Sequence, residues 1–257
     1  MLPARRHAKI VEHLRLAEAA SLTELAEATG TSLSTVRRDV DALCESGVLE
    51  RTRGGAMLSA KTAFEMDPQI ARAVAEPAKA AIAREAALLI APGQSVLFDS
   101  GSTVAAVAAA ALARAVPFTA VTNDLSIAGA LAQVRHVTVH VPEGHIRPGS
   151  ATIWGARTVE CLTRLRCDLA FIGTHAIDEA VVSDGSLELA ELKRAMMAAA
   201  RRTVLVADSG KFFSRVFCAF ATPAAFGTII TDAGIAVSAL EALAATGASV
   251  VVAGGEP

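Results

Sequence analysis

From residue 95 onward the sequence alternates between short apolar runs and longer helical segments, and this alternation is the strongest constraint on its fold. Seven runs have the length and the Val, Ile and Phe content of buried strands: residues 95–101, 118–124, 136–143, 168–173, 202–209, 227–232 and 248–254. Segments with the composition of helices, such as 187–201 and 237–246, separate these runs. The pattern predicts an α/β fold in which a mainly parallel sheet is covered by helices on both faces.

Composition narrows the class of protein. Hydrophobic residues make up 53% of the 257 residues and charged residues 19%, which is ample material for a buried core. The longest apolar stretches, such as 104–113, are shorter than the roughly 20 residues that span a bilayer, and the first residues lack the apolar core of a secretory signal. The four cysteines have no C-x-x-C spacing. We expect a cytoplasmic protein with no membrane partner, no metal and no cofactor.

The first 57 residues have a different organisation, which predicts a small helical domain. Ile10, Val11, Leu14 and Leu16 give the first helix an apolar side. Ser21 and Glu24 have the spacing of a capping box, and Gly30 stands where that second helix would end. A third helix follows after a tight turn, with an apolar stripe formed by Leu33, Val36, Val40 and Leu43. Two helices joined by such a turn are typical of a helix-turn-helix.

The polar side of the third helix and the hairpin predicted over residues 48–57 carry residues suited to DNA. Arginine can bind guanine edges or clamp phosphates, and hydroxyls reach backbone oxygens. The hairpin has the basic character of a wing. Paired arginines on a helix are more often simply solvated, and residues 1–56 contain eight basic and eight acidic residues, so placement rather than net charge favours DNA. The candidate DNA-binding residues are Ser32, Ser34, Thr35, Arg37, Arg38, Arg51 and Arg53.

Polar residues also gather where the predicted strands end, which is the edge where such sheets bind ligands. The first strand leads into a Ser-Gly-Ser-Thr turn and a helix, and the free N–H groups of a helix start, together with hydroxyls, suit a phosphate. Such a turn can also be an ordinary helix cap. Similar turns after two further strands favour a polyhydroxylated, phosphorylated ligand. The candidate effector-binding residues are Asp99, Ser100, Gly101, Ser102, Thr103, Thr122, Asn123 and Lys211.

An enzyme remains as the alternative, namely a sugar-phosphate isomerase with an N-terminal appendage. Isomerisation needs a general base, and Glu143, Glu188 and Glu191 are the available carboxylates. The last two share a predicted helix with Lys193, where solvated charges are the default interpretation. His140, His145 and His175 have no metal-ligand spacing, and a histidine near a strand end is more often structural than a base. An isomerase has no use for an arginine-bearing helix and a basic wing, so we expect a regulator and not an enzyme.

The motifs resemble a known family. Residues 21–57, with Thr-Val-Arg-Arg-Asp at 35–39 and Gly-Gly-Ala at 54–56, closely resemble the winged helix of DeoR-type bacterial transcriptional regulators. Residues 97–108, 121–131, 167–178, 191–196, 204–212 and 228–232 are similar, in order, to the landmarks of the DeoR sensor domain. The resemblance covers essentially the whole chain. It implies a winged helix-turn-helix over 1–57, a linker over 58–75, and a sensor and oligomerisation domain over 76–257.

What the resemblance implies about function is specific. The sensor domain would be similar in fold to ribose-5-phosphate isomerase and would bind a phosphorylated sugar, with the phosphate on Ser100 to Thr103 near Lys211 and the sugar near Asp99, Thr122 and Asn123. The protein would be a homo-oligomer, a dimer or tetramer, that represses carbohydrate metabolism genes by binding double-stranded operator DNA. One departure is Glu143, where the family usually has glycine; its carboxylate would either accept bonds from sugar hydroxyls or point to solvent.

Overall fold

The computed structural model describes residues 1–59 and 66–254. The chain divides into two compact units, Met1–Glu76 and Pro77–Pro257. No helix in the described part of the chain is both long enough and apolar enough to cross a membrane.

The first unit consists of helices and a small antiparallel sheet in which β3 is the central strand, with the order β1-β3-β2. Its elements are α1 (Pro3–Ala17), β1 (Ala19–Ser21), α2 (Leu22–Thr29), α3 (Leu33–Glu45), β2 (Leu49–Thr52), β3 (Gly55–Leu58) and α4 (Pro68–Ala73). The predicted capping box is present, since Ser21 Oγ accepts from the N–H of Glu24 at 3.2 Å and Glu24 Oε2 accepts from the N–H of Ser21 at 2.7 Å. Gly30 ends α2 with a φ of 65°. The predicted winged helix-turn-helix is confirmed.

Two residues assigned to the apolar stripes lie outside the core. Leu16 is 90% exposed because it follows the buried Leu14 by two positions, which turns it by about 200° around α1. Leu33 is 44% exposed because it is the first residue of α3 and precedes the part of the helix that packs against the core. The other stripe residues are buried as predicted: Ile10, Val11, Leu14, Val36, Val40 and Leu43.

The segment predicted as a linker contains structure in its described part. Helix α4 begins after Asp67, whose side chain accepts from the N–H of Gln69 at 2.8 Å. Ile70 and Val74 are buried in the core of the first unit, and the N–H of Ala75 donates to Glu12 Oε1 at 2.6 Å. The part of this segment after residue 65 therefore packs on the first unit. Residues 60–65 of the predicted linker lie outside the described residues.

The second unit is built on a seven-stranded parallel sheet with the order β15-β14-β12-β9-β4-β5-β6. The strands of the unit are β4 (Ser95–Phe98), β5 (Phe118–Thr122), β6 (Val137–His140), β7 (His145–Ile146), β8 (Ile153–Trp154), β9 (Cys167–Ile172), β10 (Ala176–Ile177), β11 (Val182–Asp184), β12 (Ala200–Val206), β13 (Cys218–Ala221), β14 (Thr228–Asp232) and β15 (Val250–Ala253). Its helices are α5 (Glu76–Leu88), α6 (Ser102–Ala113), α7 (Leu125–Leu131), α8 (Ala156–Thr163), α9 (Leu187–Ala198) and α10 (Val237–Ala245).

Each of the seven predicted strands corresponds to one strand of the parallel sheet. Apolar cores lie on both of its faces: along β4, Val96 and Phe98 pack in one cluster, and Leu97 packs in the other. The sequence did not predict the pair β7–β8 or the antiparallel sheet β10-β11-β13, because most of these strands have only two or three residues, which is too short to show a period. With both faces covered by helices, the carboxyl edge of the sheet remains as the place where polar side chains collect.

The wing turn requires its glycine pair for two different reasons, and this generates a stability prediction. Gly54 has a φ of 92° and faces open space, whereas a Cβ on Gly55 would lie 2.0 Å from the carbonyl oxygen of Ala20. Gly55→Ala should therefore separate β3 from β1 and destabilise the first unit by more than about 2 kcal/mol, in the range of severe backbone clashes. Thermal unfolding of the full chain measures this loss.

Gly54→Asn is the matched control, since asparagine tolerates positive φ better than most side chains. We expect it to unfold closer to the wild-type temperature than Gly55→Ala does. Equal losses in the two variants would show that the close approach of β1 and β3 is unimportant.

Candidate functional site

The exposed start of α3 carries a cluster of hydroxyls. Ser32 is the N-cap, and its Oγ accepts from the N–H of Thr35 at 3.3 Å. The same oxygen lies 3.0 Å from Ser34 Oγ and 2.9 Å from Thr35 Oγ1. The structure thus brings these three predicted DNA-binding residues together. Part of the hydrogen-bonding capacity of Ser32 is used to cap the helix.

The four predicted DNA-binding arginines are all exposed, but they differ in their partners. Arg51 on β2 forms an ion pair with Asp41 on α3, which ties the wing to that helix. Arg38 Nε donates to the carbonyl oxygen of Ser34 at 3.3 Å. Arg37 and Arg53 make no ion pair with any residue that the structure describes. Among the described residues, the side chains of Arg37 and Arg53 therefore make fewer contacts than those of the other two arginines.

Asp39, between these arginines and the core, holds α3 in place. It is buried, and its carboxylate accepts from Arg6 Nε at 2.5 Å and Arg6 Nη2 at 2.8 Å, with His7 Nε2 at 3.0 Å. Burial opposes ionisation, but these hydrogen bonds outweigh it and keep the pKa of Asp39 below its usual range. Sequence reasoning did not assign Asp39 a role, although it follows Val36 by three positions and so lies on the buried side of α3.

In the second unit, β4 leads directly into the turn of residues 99–101 and then into α6. Gly101 has a φ of 115°, which favours glycine, and no described side chain caps α6. The N–H groups of Ser102, Thr103 and Val104 have no partner within the helix, as at any helix start. Helix α7 differs, because Asp124 accepts from the N–H of Ser126 at 2.8 Å. The start of α6 is thus open to an anion, whereas that of α7 is closed by a carboxylate.

The neighbouring strand β5 brings Thr122 and Asn123 to the same edge, since Thr122 pairs in register with Phe98. Both residues are buried. Asn123 Nδ2 donates to the carbonyl oxygen of Ile153 at 3.3 Å, but its Oδ1 has no hydrogen-bond partner among the described residues. Lys211 lies two strands away from β4, on a 3-10 turn of residues Ser209–Lys211 after β12. The residues that follow β4 and β5 therefore lie on neighbouring strands, whereas Lys211 follows a strand that is further away in the sheet.

Lys193, expected to be a solvated helix charge, is buried beneath this edge with only 4% of its surface exposed. Its Nζ forms an ion pair with Asp99, donates to the carbonyl oxygen of Gly173 at 3.0 Å and lies 3.4 Å from Asp184 Oδ2. The expectation was wrong because Lys193 lies on the apolar side of α9, four positions after Leu189 and three before Met196, both of which are buried. The position of a charged residue on the apolar side of a helix is the sequence signal from which the burial of Lys193 could have been predicted.

The two carboxylates around Lys193 hold the backbone on both sides. Asp99 accepts from the N–H of Ser100 at 2.7 Å and from the N–H of Gly173 at 3.0 Å. Asp184 Oδ1 lies 2.7 Å from His175 Nδ1 and accepts from the N–H of Gly185 at 2.7 Å. Both oxygens of Asp99 are thus engaged by the chain itself. We call Lys193, Asp99, Asp184 and His175 the buried network.

Lys193 and the carboxylates around it lie next to charges of opposite sign within the buried network. Burial disfavours the ammonium, but the carboxylates of Asp99 and Asp184 outweigh this effect and raise the pKa of Lys193 above its ordinary value. Burial also disfavours ionised Asp184, yet the Lys193 charge and the His175 hydrogen bond hold the pKa of this carboxyl well below its usual range. Lys193 and Asp184 are therefore charged together near neutral pH.

The residues considered for isomerase chemistry form no shielded site. Glu143, Glu188 and Glu191 are all exposed. The Glu143 carboxylate is exposed to solvent and lies 3.8 Å from Arg157 Nη1. The described residues include no group of histidines, cysteines and carboxylates that could hold a metal.

The buried network predicts that removing its cation destabilises the second unit. Removing one partner of a buried ion pair typically costs about 3–5 kcal/mol because the other charge is left uncompensated. Lys193→Met should therefore lower the free energy of unfolding by an amount in this range, measured by chemical denaturation. Asp99→Asn added to Lys193→Met should recover part of the loss, and Glu191→Gln on the exposed side of α9 should change little. A Lys193→Met variant as stable as the wild type would contradict the assignment.

The chain is similar to known proteins over nearly all of its length. The HTH-type transcriptional regulator GlpR of Haloferax volcanii is 32% identical over 98% of this chain and 98% of that protein. The glycerol-3-phosphate regulon repressor of Escherichia coli K12 is 29% identical over 95% and 96%. Among solved structures, ribose 5-phosphate isomerase A of Methanocaldococcus jannaschii is similar over 53% of this chain and 54% of that chain, with a TM-score of 0.39 and 16% identity.

Two family models match the two units in turn. A DeoR-like helix-turn-helix domain matches residues 6–62, and a DeoR C terminal sensor domain matches residues 75–233. The second match alone covers more than half of the chain. Together with the winged helix, it answers the question of regulator or enzyme. The chain belongs to the DeoR family of DNA-binding transcriptional regulators, and it is not an enzyme.

Proposed function

We propose that this protein is a repressor of carbohydrate metabolism genes whose affinity for double-stranded operator DNA is lowered by a phosphorylated sugar or a related metabolite. The observation that carries the proposal is the start of α6, which no described side chain caps and which follows a turn held by the buried network. Backbone N–H groups held rigidly at a helix start bind phosphate with little reorganisation. A relative named as a glycerol-3-phosphate regulon repressor supports this class of ligand.

On the DNA side, α3 would lie in the major groove with Arg37 and Arg38 towards bases and phosphates. Ser34 and Thr35 would contact the DNA backbone at the start of the helix. The wing would place Arg51 and Arg53 along the adjacent backbone or minor groove. Since Arg51 already pairs with Asp41, we assign it a smaller part of the affinity than Arg53.

On the effector side, the phosphate would bind the N–H groups at the start of α6 with Ser100, Gly101, Ser102 and Thr103. Asn123 Oδ1 is buried without a partner among the described residues, so it would accept a hydrogen bond from a ligand hydroxyl, next to Thr122. Asp99 would act as a positioning residue, because its carboxylate already holds the turn. Lys211 would approach the phosphate as a point charge.

The two sites would communicate by linkage. An effector that binds more tightly to the arrangement with low DNA affinity weakens operator binding by the ratio of its affinities for the two states. We propose further that the protein works in the cytoplasm as a homo-oligomer, a dimer or tetramer, so that two winged helices engage paired half-sites. Light scattering of the purified protein tests the oligomeric part.

Substitution of the α3 arginines should weaken DNA binding without unfolding the protein. A lost arginine contact with a base or phosphate costs about 1–3 kcal/mol, so Arg37→Ala and Arg38→Ala should each raise the dissociation constant for DNA upstream of the protein's own gene about 5- to 150-fold. Fluorescence anisotropy at fixed salt measures this change.

Arg166→Ala is the matched control, because Arg166 is an exposed arginine of the second unit that hydrogen-bonds only to backbone among the described residues. It should bind DNA as the wild type does. If both α3 variants bound as tightly as Arg166→Ala, the proposed interface would be wrong.

A change at the start of α6 should affect the effector and leave DNA binding intact. Ser102→Ala removes one hydroxyl donor to a phosphate, and a hydrogen bond to a charged group contributes about 1.5–3 kcal/mol. We expect the affinity for the phosphorylated effector to fall about tenfold or more. Calorimetry of Ser102→Ala against Ser126→Ala, at the carboxylate-capped start of α7, makes the comparison. Equal effector affinities in the two variants would remove the α6 turn from the site.

A further inference from the structure

We propose that His175 is a specificity-determining residue of the effector site, which accepts a hydrogen bond from a hydroxyl of the ligand through its Nε2. The inference rests on the function proposed above and adds a residue that sequence reasoning took to be structural. In this proposal the start of α6 recognises the phosphate of the ligand, and His175, on the same edge of the sheet, recognises its polyol part.

The backbone places His175 beside the phosphate turn. Strand β9 pairs with β4, with Phe171 opposite Phe98, and both strands end at the carboxyl edge of the sheet. A Cβ on Gly173 would lie 3.5 Å from the carbonyl oxygen of Ser100, so the chain leaving β9 runs directly alongside the turn. His175 is two residues further on.

The imidazole is held in one orientation. Its Nδ1 lies 2.7 Å from Asp184 Oδ1, and Asp184 is in turn paired with Lys193. Because a carboxylate can only accept, Nδ1 must carry the hydrogen, and in the neutral ring Nε2 is then an acceptor. Nε2 forms no hydrogen bond with any residue that the structure describes. One nitrogen thus fixes the ring, and the other is available.

His175 is the member of the buried network that reaches solvent. Its side chain is 30% exposed, whereas the side chains of Lys193 and Asp184 are 5% and 1% exposed. The backbone before it is also fixed, since Thr174 Oγ1 donates to the carbonyl oxygen of Ser183 at 2.8 Å. A ring held in this way loses little conformational freedom on binding, so its hydrogen bond contributes nearly in full.

The chemistry of a neutral Nε2 selects the ligand group. A phosphate dianion has only acceptor oxygens and would repel the nitrogen lone pair, whereas a sugar hydroxyl can donate to it. His175 therefore recognises the sugar or polyol part. This arrangement favours phosphorylated polyols over inorganic phosphate.

Calorimetry in mildly alkaline buffer tests the proposal on the full chain. The probes are inorganic phosphate, glycerol 3-phosphate, ribose 5-phosphate and glucose 6-phosphate. The variants are His175→Ala, His175→Gln, whose amide oxygen can replace the acceptor, and His140→Ala as control. His140 is exposed at the end of β6, three strands from β9.

We expect the wild type to bind at least one sugar phosphate more tightly than inorganic phosphate. His175→Ala should lower the affinity for that sugar phosphate about tenfold, as expected for one lost hydrogen bond. It should leave the affinity for inorganic phosphate within about twofold of the wild-type value. His175→Gln should recover part of the affinity, and His140→Ala should bind as the wild type does.

The possible results distinguish a failure of the role proposed for His175 from a failure of the proposed function. Sugar-phosphate affinity unchanged in His175→Ala, or a wild type that binds sugar phosphates no more tightly than inorganic phosphate, overturns the role of His175 and leaves the phosphate site standing. A wild type that binds none of the four probes overturns the proposed function as well.

Discussion

Lys193 places a buried ammonium between the carboxylates of Asp99 and Asp184, and the geometry of the effector edge depends on this contact. Through Asp99 it holds the turn before α6, and through Asp184 it holds His175. A buried charge is tolerated only when it is fully compensated, so these residues can adopt few other arrangements. The same contact joins α9 to the turn that follows β4, which couples the helix layer to the binding edge.

The first unit uses a buried ion pair in a comparable way. Asp39 faces inward from α3 to Arg6 and His7 on α1, while its neighbours Arg37 and Arg38 face solvent. The orientation of the arginines is therefore set by a carboxylate that never needs to touch DNA. In both units a buried ion pair holds the segment that carries residues proposed to bind a ligand: α3 in the first unit, and the turn before α6 in the second.

Much of the fold could be predicted because it rests on local patterns. The seven strands of the parallel sheet have continuous apolar runs, and the cap formed by Ser21 and Glu24 is a local motif. The positions of Leu16, Leu33 and Lys193 were misjudged, because burial at a helix end or on a helix face depends on what packs there. The pairing of Lys193 with Asp99 joins residues 94 positions apart, a distance that no pattern in a single sequence spans.

The most direct test of the account is the affinity for DNA upstream of the protein's own gene, measured by fluorescence anisotropy with and without a sugar phosphate shown by calorimetry to saturate the protein. The account predicts a dissociation constant for DNA that rises about 5- to 150-fold when the ligand is bound, the usual range of coupling between two sites. A DNA affinity that is the same for the free and the ligand-saturated protein would contradict it.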